Sequence, residues 1–415
     1  MTAMTRSLRL LAGPDFATGA EWYAAHAARL GELPVQAARQ DLVSSLERSG
    51  LLGRGGAGFP VGRKWRAVAE RARRGAVVVA NGAEGEPRSS KDQALMALRP
   101  HLVIDGAVLA ALAVGADELV LYVGSDHHQA LTTMHAALRE RPMPDGLAAR
   151  VVEAPASYVS GESTAVVHYL NDRDARPTDG PPRPFERGVG GRPTLVQNVE
   201  SLAYAALIAR FGDRWYSEAG RAETPGTALV TVTGPLTAPG VREIEYGTSL
   251  REVIESAGGR IGDLQAALLG GYFGGWASLE DVLDVPLDPQ RLAKRGLGFG
   301  CGLIGLLESD ACGVVATEQI VSYMAAESAR QCGPCLFGLG AMAWAMRRLA
   351  SGSAQADDVA NLDRWSTEIV GRGACHHPDG AAALVRSALD VFAPEFVLHQ
   401  SGRCLRRSAV VERSA

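Results

Sequence analysis

Three cysteines carry the sharpest chemical signal in this chain. Cys332-Gly-Pro-Cys335 puts two thiols on one turn, and Cys375 follows after 39 intervening residues. Two neighbouring thiolates and a distant third are how iron–sulfur and zinc sites are assembled. Three ligands are one short of the usual four, so the fourth position would fall to His376, His377, Cys404, a residue of a partner, or solvent. The plain alternative is two structural cysteines and an unrelated third.

Glycine gives the second signal. GRGGAG, Gly53 to Gly58, fits G-x-G-x-x-G, but a dinucleotide fingerprint needs a strand before it, and the preceding QAARQDLVSSLERSGLL has helical spacing. A standard Rossmann phosphate loop is therefore not expected. Residues without a Cβ still let backbone N–H groups approach a phosphate or a flat ring, and Lys64 adds a cation close by. A tight turn is the competing reading.

Polar residues also gather just beyond apolar runs. Asn81, Glu84 and Glu86 follow AVVVA, Gly161 and Glu162 follow ARVVEA, and Gln197, Asn198 and Glu200 form a third cluster. Open α/β sheets place ligands at the carboxyl ends of their strands, where carboxylates and amides suit ribityl or ribose hydroxyls. A solvated acidic turn competes with that reading for Asn81 to Glu86.

The elements that must hold these residues follow from periodicity. AVVVANGAEGE, ELVLYVGSD and ARVVEAPASYVSGE read as strands separated by helices rich in Ala and Leu, which argues α/β with a parallel sheet. Residues 1–35 read as a poorly constrained lead-in and residues 36–222 as the α/β domain. Within it, RDARPTDGPPRPFERGVGGRP has five prolines and four glycines and must be a long ordered loop or a linker. A small β-rich unit with one helix is expected over 223–300. Over 310–405, four helix-length amphipathic segments predict a small bundle.

Composition narrows the function classes. The 415 residues hold 42 basic and 46 acidic side chains, net −4, so no global field would hold nucleic acid or an anionic membrane. The longest apolar stretches, near 106–116 and 296–307, fall short of the ~20 residues of a transmembrane helix. The start lacks a secretory pattern. A cytoplasmic location with reduced thiols is expected, which leaves metal, cluster or redox chemistry to explain clustered cysteines.

At this point the residues carry a resemblance. GLLGRGGAGFPVGRKW, NGAEGEPRSSKD, YVSGEST, GRPTLVQNVES and ESARQCGPC with Cys375 fall in the order and spacing of the NADH-binding, FMN-bearing flavoprotein subunit of respiratory complex I. The same motifs occur in relatives in bidirectional hydrogenases and formate dehydrogenases. The resemblance covers about residues 40–400.

The resemblance implies a Rossmann-like FMN domain, a small soluble-ligand-binding β-grasp domain and a four-helix bundle holding a four-iron four-sulfur cluster. It places FMN contacts on Gly53, Gly55, Lys64, Asn81, Glu84, Glu86, Gly161, Glu162, Asn198 and Ser201. Glu86 would sit at the catalytic flavin and nicotinamide end, Phe59 would be one ring of the NADH groove, and Cys332, Cys335 and Cys375 would ligate the cluster.

Departures from the family pattern fall on both substrate and cluster. Ala67 and Arg183 stand where further groove rings would be, so direct use of NADH or NADPH is put in doubt. Ala83, Ser163 and Gln197 replace an Asp, an acidic residue and an Asn. Ala329 replaces the first cluster cysteine, which leaves an incomplete cluster or a substitute ligand. The implied activity is FMN-dependent electron transfer with a protein redox partner, such as a ferredoxin or a thioredoxin-like ferredoxin subunit, peripheral to any membrane complex. The alternatives are a non-catalytic docking or ligand-sensing relative, and a zinc-stabilised bundle using Cys332, Cys335, Cys375 and His376.

Overall fold

The computed structural model describes residues 8–14, 19–73 and 75–406. Its first sheet is parallel and four-stranded: β1 (Ala76–Gly82), β2 (Ala116–Gly124), β3 (Ala148–Ala154) and β4 (Thr194–Asn198), in the order β3-β2-β1-β4. The continuous apolar run of β1 is buried on both faces, as a strand covered by helices on each side must be. Between β1 and β4 the chain changes winding direction, and that switch point opens a crevice at the strands' carboxyl ends.

The helix Pro100–Val114 is buried almost all round, which is why its sequence shows no polar face. It crosses the helix Val199–Ser217 at Gly106, where an added Cβ would lie 1.9 Å from the Leu202 carbonyl oxygen. Among the described residues no single helix is long and apolar enough to cross a membrane. One bent pair, Lys91–Leu98 with Pro100–Val114, passes by length and composition, and its second member is this core helix.

A two-residue ladder, β5 (Gly220–Arg221) with β6 (Thr224–Pro225), leads to a mixed sheet. This sheet comprises β7 (Thr227–Thr233), β8 (Gly240–Glu245), β9 (Leu264–Leu269), β10 (Gly275–Ser278) and β11 (Leu303–Glu308), in the order β10-β9-β11-β7-β8. The helix Leu250–Ser256, started by a Ser249/Glu252 capping box, packs Leu250 and Val253 on Val230 and Val232, the β-grasp arrangement expected. Four helices, Gly313–Ala326, Leu339–Ala350, Asp358–Glu368 and His377–Val391, form the bundle, and a fifth, Ala393–Gln400, closes its end. Trp276 of β10 meets Phe392 at 5.3 Å between ring centroids, which seats the bundle on the second sheet.

The structure differs from the sequence reading at β11 and at the lead-in, and it decides between loop and linker for the proline-rich stretch. Strand β11 runs to Glu308 in the middle of the second sheet, so that unit extends past residue 300. The proline-rich stretch before β4 is a loop inside the first domain, because β4 returns to pair with β1. The described part of the lead-in is fixed: Arg9, Leu10 and Leu11 donate backbone N–H bonds to the Glu243 carboxylate at 3.0 to 3.1 Å, and Leu10 and Leu11 are buried.

Candidate functional site

The parallel register sets Asn81 opposite Asn198 at the ends of β1 and β4. Asn198 caps the helix Val199–Ser217, its Oδ1 accepting from the Glu200 and Ser201 amides at 2.9 and 3.4 Å. Its Nδ2 donates to Asp92 at 2.7 Å. Asn81 donates to the Gly161 carbonyl at 2.8 Å, fixing the turn Tyr158–Gly161 beside β1.

The glycine loop lies between two helices, Leu42–Ser49 and Val61–Ala69, not after a strand. Gly53 N–H donates to the Phe59 carbonyl at 2.9 Å and closes the loop. Arg54 N–H donates to Ser201 Oγ at 2.9 Å, and an added Cβ at Gly55 would come within 3.5 Å of the Asn198 Cβ. The loop is thus laid directly over the end of β4. An added Cβ at Gly56 or Gly58 would meet nothing within 4 Å, so the outer side is open.

Arg54 carries no signal in the sequence, and it is the loop's anchor. Its guanidinium is buried, donates to Tyr216 Oη at 3.1 Å and the Thr227 carbonyl at 2.9 Å, pairs with Glu200 at 3.6 Å and lies 4.6 Å from the Tyr246 ring centroid. Lys91, equally silent in the sequence, is buried and pairs with Asp92 at 2.7 Å and Glu200 at 2.9 Å. A continuous polar chain, Asn198–Asp92–Lys91–Glu200–Arg54, therefore runs beneath the loop. Burial pushes the Asp92 carboxyl up, with Lys91 opposing.

The two carboxylates Glu84 and Glu162 are occupied by helix starts. Glu84 accepts from the Lys91, Asp92 and Gln93 amides at 3.1 to 3.3 Å. Glu162 accepts from the Thr164 and Ala165 amides at 2.7 and 3.1 Å. Lys64 is different: it makes no ion pair among the described residues, and burial lowers its pKa to about 8, with Glu162 pulling it back up.

Glu86 lies where the first domain meets the second sheet. Its Oε2 accepts from Tyr272 N–H at 2.7 Å and from Tyr158 Oη at 3.4 Å, while Oε1 is buried with no partner among the described residues. Burial raises this carboxyl to about 7, against the Tyr272 amide and Arg88. Gly271 is required here, since its φ is +84° and an added Cβ would lie 2.6 Å from Glu86 Oε2. Gln197 at the end of β4 also keeps a buried Oε1 without a partner among the described residues.

These features fit a flavin nucleotide: an open glycine loop, a half-buried cation that no described carboxylate pairs, and unpartnered acceptors at Glu86 and Gln197. Phe59 is 56% exposed and Arg183 is exposed, with no hydrogen bond joining them among the described residues. A cleft of about 550 Å³ lined by Arg71, Gly75, Arg192 and Pro193 lies at the opposite, amino-terminal ends of β1 and β4 and contains none of the expected site residues.

Cys335 sits on a π-helical turn, Pro334–Gly338, and its Sγ is 3.1 Å from that of Cys332. Burial raises Cys332, but the Ala374 amide and Cys335 hold it below the ordinary thiol value. Cys375 is raised by burial, opposed by the His377 amide, and it senses both Glu162 and Cys332. Cys332 and Cys335 are thus adjacent, and Cys375 is near enough for charge on Cys332 to act on it. Of the fourth-ligand candidates, His376 pairs with Asp379 at 3.0 Å, and His377 bonds the Met324 carbonyl through Nε2 at 2.7 Å. Cys404 lies elsewhere, grouped with Cys312 and His399.

Comparison with known proteins agrees with this layout. Residues 46–206 match the family described as the Nuo51 FMN-binding domain, and residues 315–399 the NADH-ubiquinone oxidoreductase-F iron-sulfur binding region. The second F-type subunit of the NADH-quinone oxidoreductase of Rhizobium meliloti is 32% identical over 378 residues, covering 88% of this chain and 90% of the relative. The F-type subunit of the Streptomyces coelicolor enzyme is 31% identical, covering 88% and 84%. The NAD+-reducing [NiFe]-hydrogenase in its H2-reduced state superposes with a TM-score of 0.84 at 27% identity, over 92% of this chain and 66% of the hydrogenase chain. With two domain matches in the right order and relatives of this identity covered over most of their length, the chain belongs to the family of F-type subunits of NADH-quinone oxidoreductase, oxidoreductases that join an FMN-binding domain to an iron–sulfur region.

Proposed function

We propose that this chain passes electrons between FMN, seated over the carboxyl ends of β1 and β4, and an iron–sulfur centre held by Cys332, Cys335 and Cys375. The observation that carries this reading is the opening over the ends of β1 and β4, where the glycine loop rests on Ser201 and Asn198 and the buried Glu86 Oε1 and Gln197 Oε1 have no partner among the described residues. Bound FMN supplies the step between two-electron and one-electron chemistry.

The chain's residues do the rest. Lys64 balances negative charge on the phosphate or the flavin edge, and the amides of Gly55 to Gly58, beyond the Gly53 and Arg54 amides that close and anchor the loop, would meet the ligand above β4. Asn81, Glu84, Glu162, Asn198 and Ser201 are positioning residues, because their polar atoms hold the turns and the loop in place. Glu86 Oε1 holds or releases a proton near neutral pH. Ala329 offers no ligand, so solvent or an exogenous group completes the cluster, or the cluster is incomplete.

Phe59 is the one ring retained in the nucleotide groove, beside Ala67 and Arg183. A protein partner such as a ferredoxin is the favoured donor or acceptor, with NADH a weak one. The test is anaerobic mixing of FMN-loaded protein with reduced ferredoxin, and separately with NADH or NADPH. Flavin bleaching by ferredoxin is expected; bleaching by neither sinks the electron-transfer reading, and rapid bleaching at micromolar NADH overturns the choice of partner.

A further inference from the structure

Outside the flavin and cluster sites, one group of metal-ligating side chains among the described residues comes together from distant parts of the chain. Cys312, His399 and Cys404 have their ligand atoms all within 4.8 Å of one another, two of the residues being buried and Cys404 exposed. Cys312 caps the helix Gly313–Ala326, His399 is near the end of Ala393–Gln400, and Cys404 follows in the tail.

The histidine is already oriented as a ligand. Its Nδ1 bonds the Leu349 carbonyl at 2.9 Å, which makes Nδ1 the proton-bearing nitrogen and leaves the Nε2 lone pair facing Cys312 Sγ at 3.2 Å. A carbonyl fixing the far nitrogen is the arrangement that sets up metal-binding imidazoles. The thiol proton that Cys312 offers to Nε2 is the one a cation would displace. The helix amino terminus favours the resulting thiolate, as Val315 N–H points to Sγ at 3.5 Å. Glu395 stands alongside, its oxygens held by Gly313 N–H at 2.7 Å and Arg406 at 2.9 Å.

We infer that Cys312, His399 and Cys404 form a zinc site that clips the carboxyl-terminal tail to the bundle, with solvent in the fourth position. Two thiolates and one imidazole are a soft, tetrahedral donor set of the kind Zn2+ selects. Binding forms two Zn–S bonds and one Zn–N bond and releases two protons, from Cys312 and Cys404, with no change of oxidation state. The site shares no ligand with the Cys332–Cys335–Cys375 centre and does not depend on the flavin reading.

The test is metal analysis of the full chain after loading with Zn2+ and gel filtration, repeated with Co2+ to read thiolate-to-cobalt absorbance. Wild-type protein and a Cys332→Ser/Cys335→Ser double variant should each retain about one zinc at this site, and Cys404→Ser should lose it with an unchanged circular dichroism spectrum. Cys404 is exposed, so this variant tests the site without opening the core; a folded Cys312→Ser variant should behave alike. Zinc lost only in the Cys332/Cys335 variant, no zinc in loaded wild type, or a Cys312–Cys404 disulfide in its place would each overturn the proposal.

Discussion

Asn81 and Asn198 are partners in the β1–β4 register, and their amide groups donate to separate elements, to the Gly161 carbonyl and to Asp92. One pair of strand ends thus fixes both walls of the flavin site. Asn198→Ala would free the Glu200 and Ser201 amides and leave Asp92 Oδ2 without its donor, Lys91 remaining on Oδ1. Loss of such a cap costs about 1 kcal/mol, so a lower melting temperature is expected together with reduced flavin retention on gel filtration. Retention equal to wild type would show that the loop does not rest on this residue.

Lys64 is a half-buried cation with no ion pair among the described residues. Lys64→Met should weaken FMN at least about tenfold, equivalent to ~1.4 kcal/mol, while leaving the flavin-free protein no less stable, because a partly desolvated charge without an ion pair is removed. Fluorescence titration with FMN reads the first and thermal melts the second.

The Glu86 carboxyl sits at about 7 in the folded chain against an ordinary 4.5. Between these values the native state binds more protons than the unfolded state, so stability falls as pH rises through this window. In the flavin-free protein the loss approaches roughly 3 kcal/mol once the pH is above 7. Glu86→Gln should flatten that slope in denaturant melts at pH 5 and 8, and should remove any inflection near pH 7 from the rate of flavin reduction.

At the cluster, Cys335→Ser should abolish the broad iron–sulfur absorbance. Ala329→Cys, which completes the C-x-x-C-x-x-C spacing with Cys332 and Cys335, should raise the iron content and slow oxidative bleaching. Unchanged iron in both variants would mean that these thiols are not ligands.

On the family resemblance, Ala67 and Arg183 stand where the proposed nucleotide groove would carry rings. A ring stacked on a base contributes on the order of 1 kcal/mol; Ala67→Phe should therefore tighten NADH by about fivefold or more, measured as the NADH concentration that half-bleaches the flavin. Arg183→Ala should weaken NADPH more than NADH, because a guanidinium can pair with the extra phosphate.

The parts legible in the sequence are those written in short runs. β1 shows as an unbroken apolar run ending in Asn81, and the bundle as four segments of helical period, because both signals lie within a few residues of one another. What stays hidden depends on partners far along the chain. β11 pairs with β7 more than 70 residues earlier, so its place in the second sheet leaves no local mark. Leu10 and Leu11 are held by Glu243, and His399 meets Cys312 across 87 positions, a spacing that no ligand motif encodes. Arg54 lies inside GRGGAG, where the glycines dominate the pattern and the arginine's buried partners are all more than 140 positions away.

Arg54 also sets a limit on transplanting the flavin half of this chain. Its guanidinium reaches beyond the first domain to the Thr227 carbonyl and the Tyr246 ring, so the loop that meets the ligand is footed on the neighbouring sheet. A graft ending at residue 222 would carry the glycines and leave their footing behind. The smallest portable piece continues past β8 to Tyr246, and recombination between relatives should keep Arg54, Thr227 and Tyr246 on the same side of a crossover.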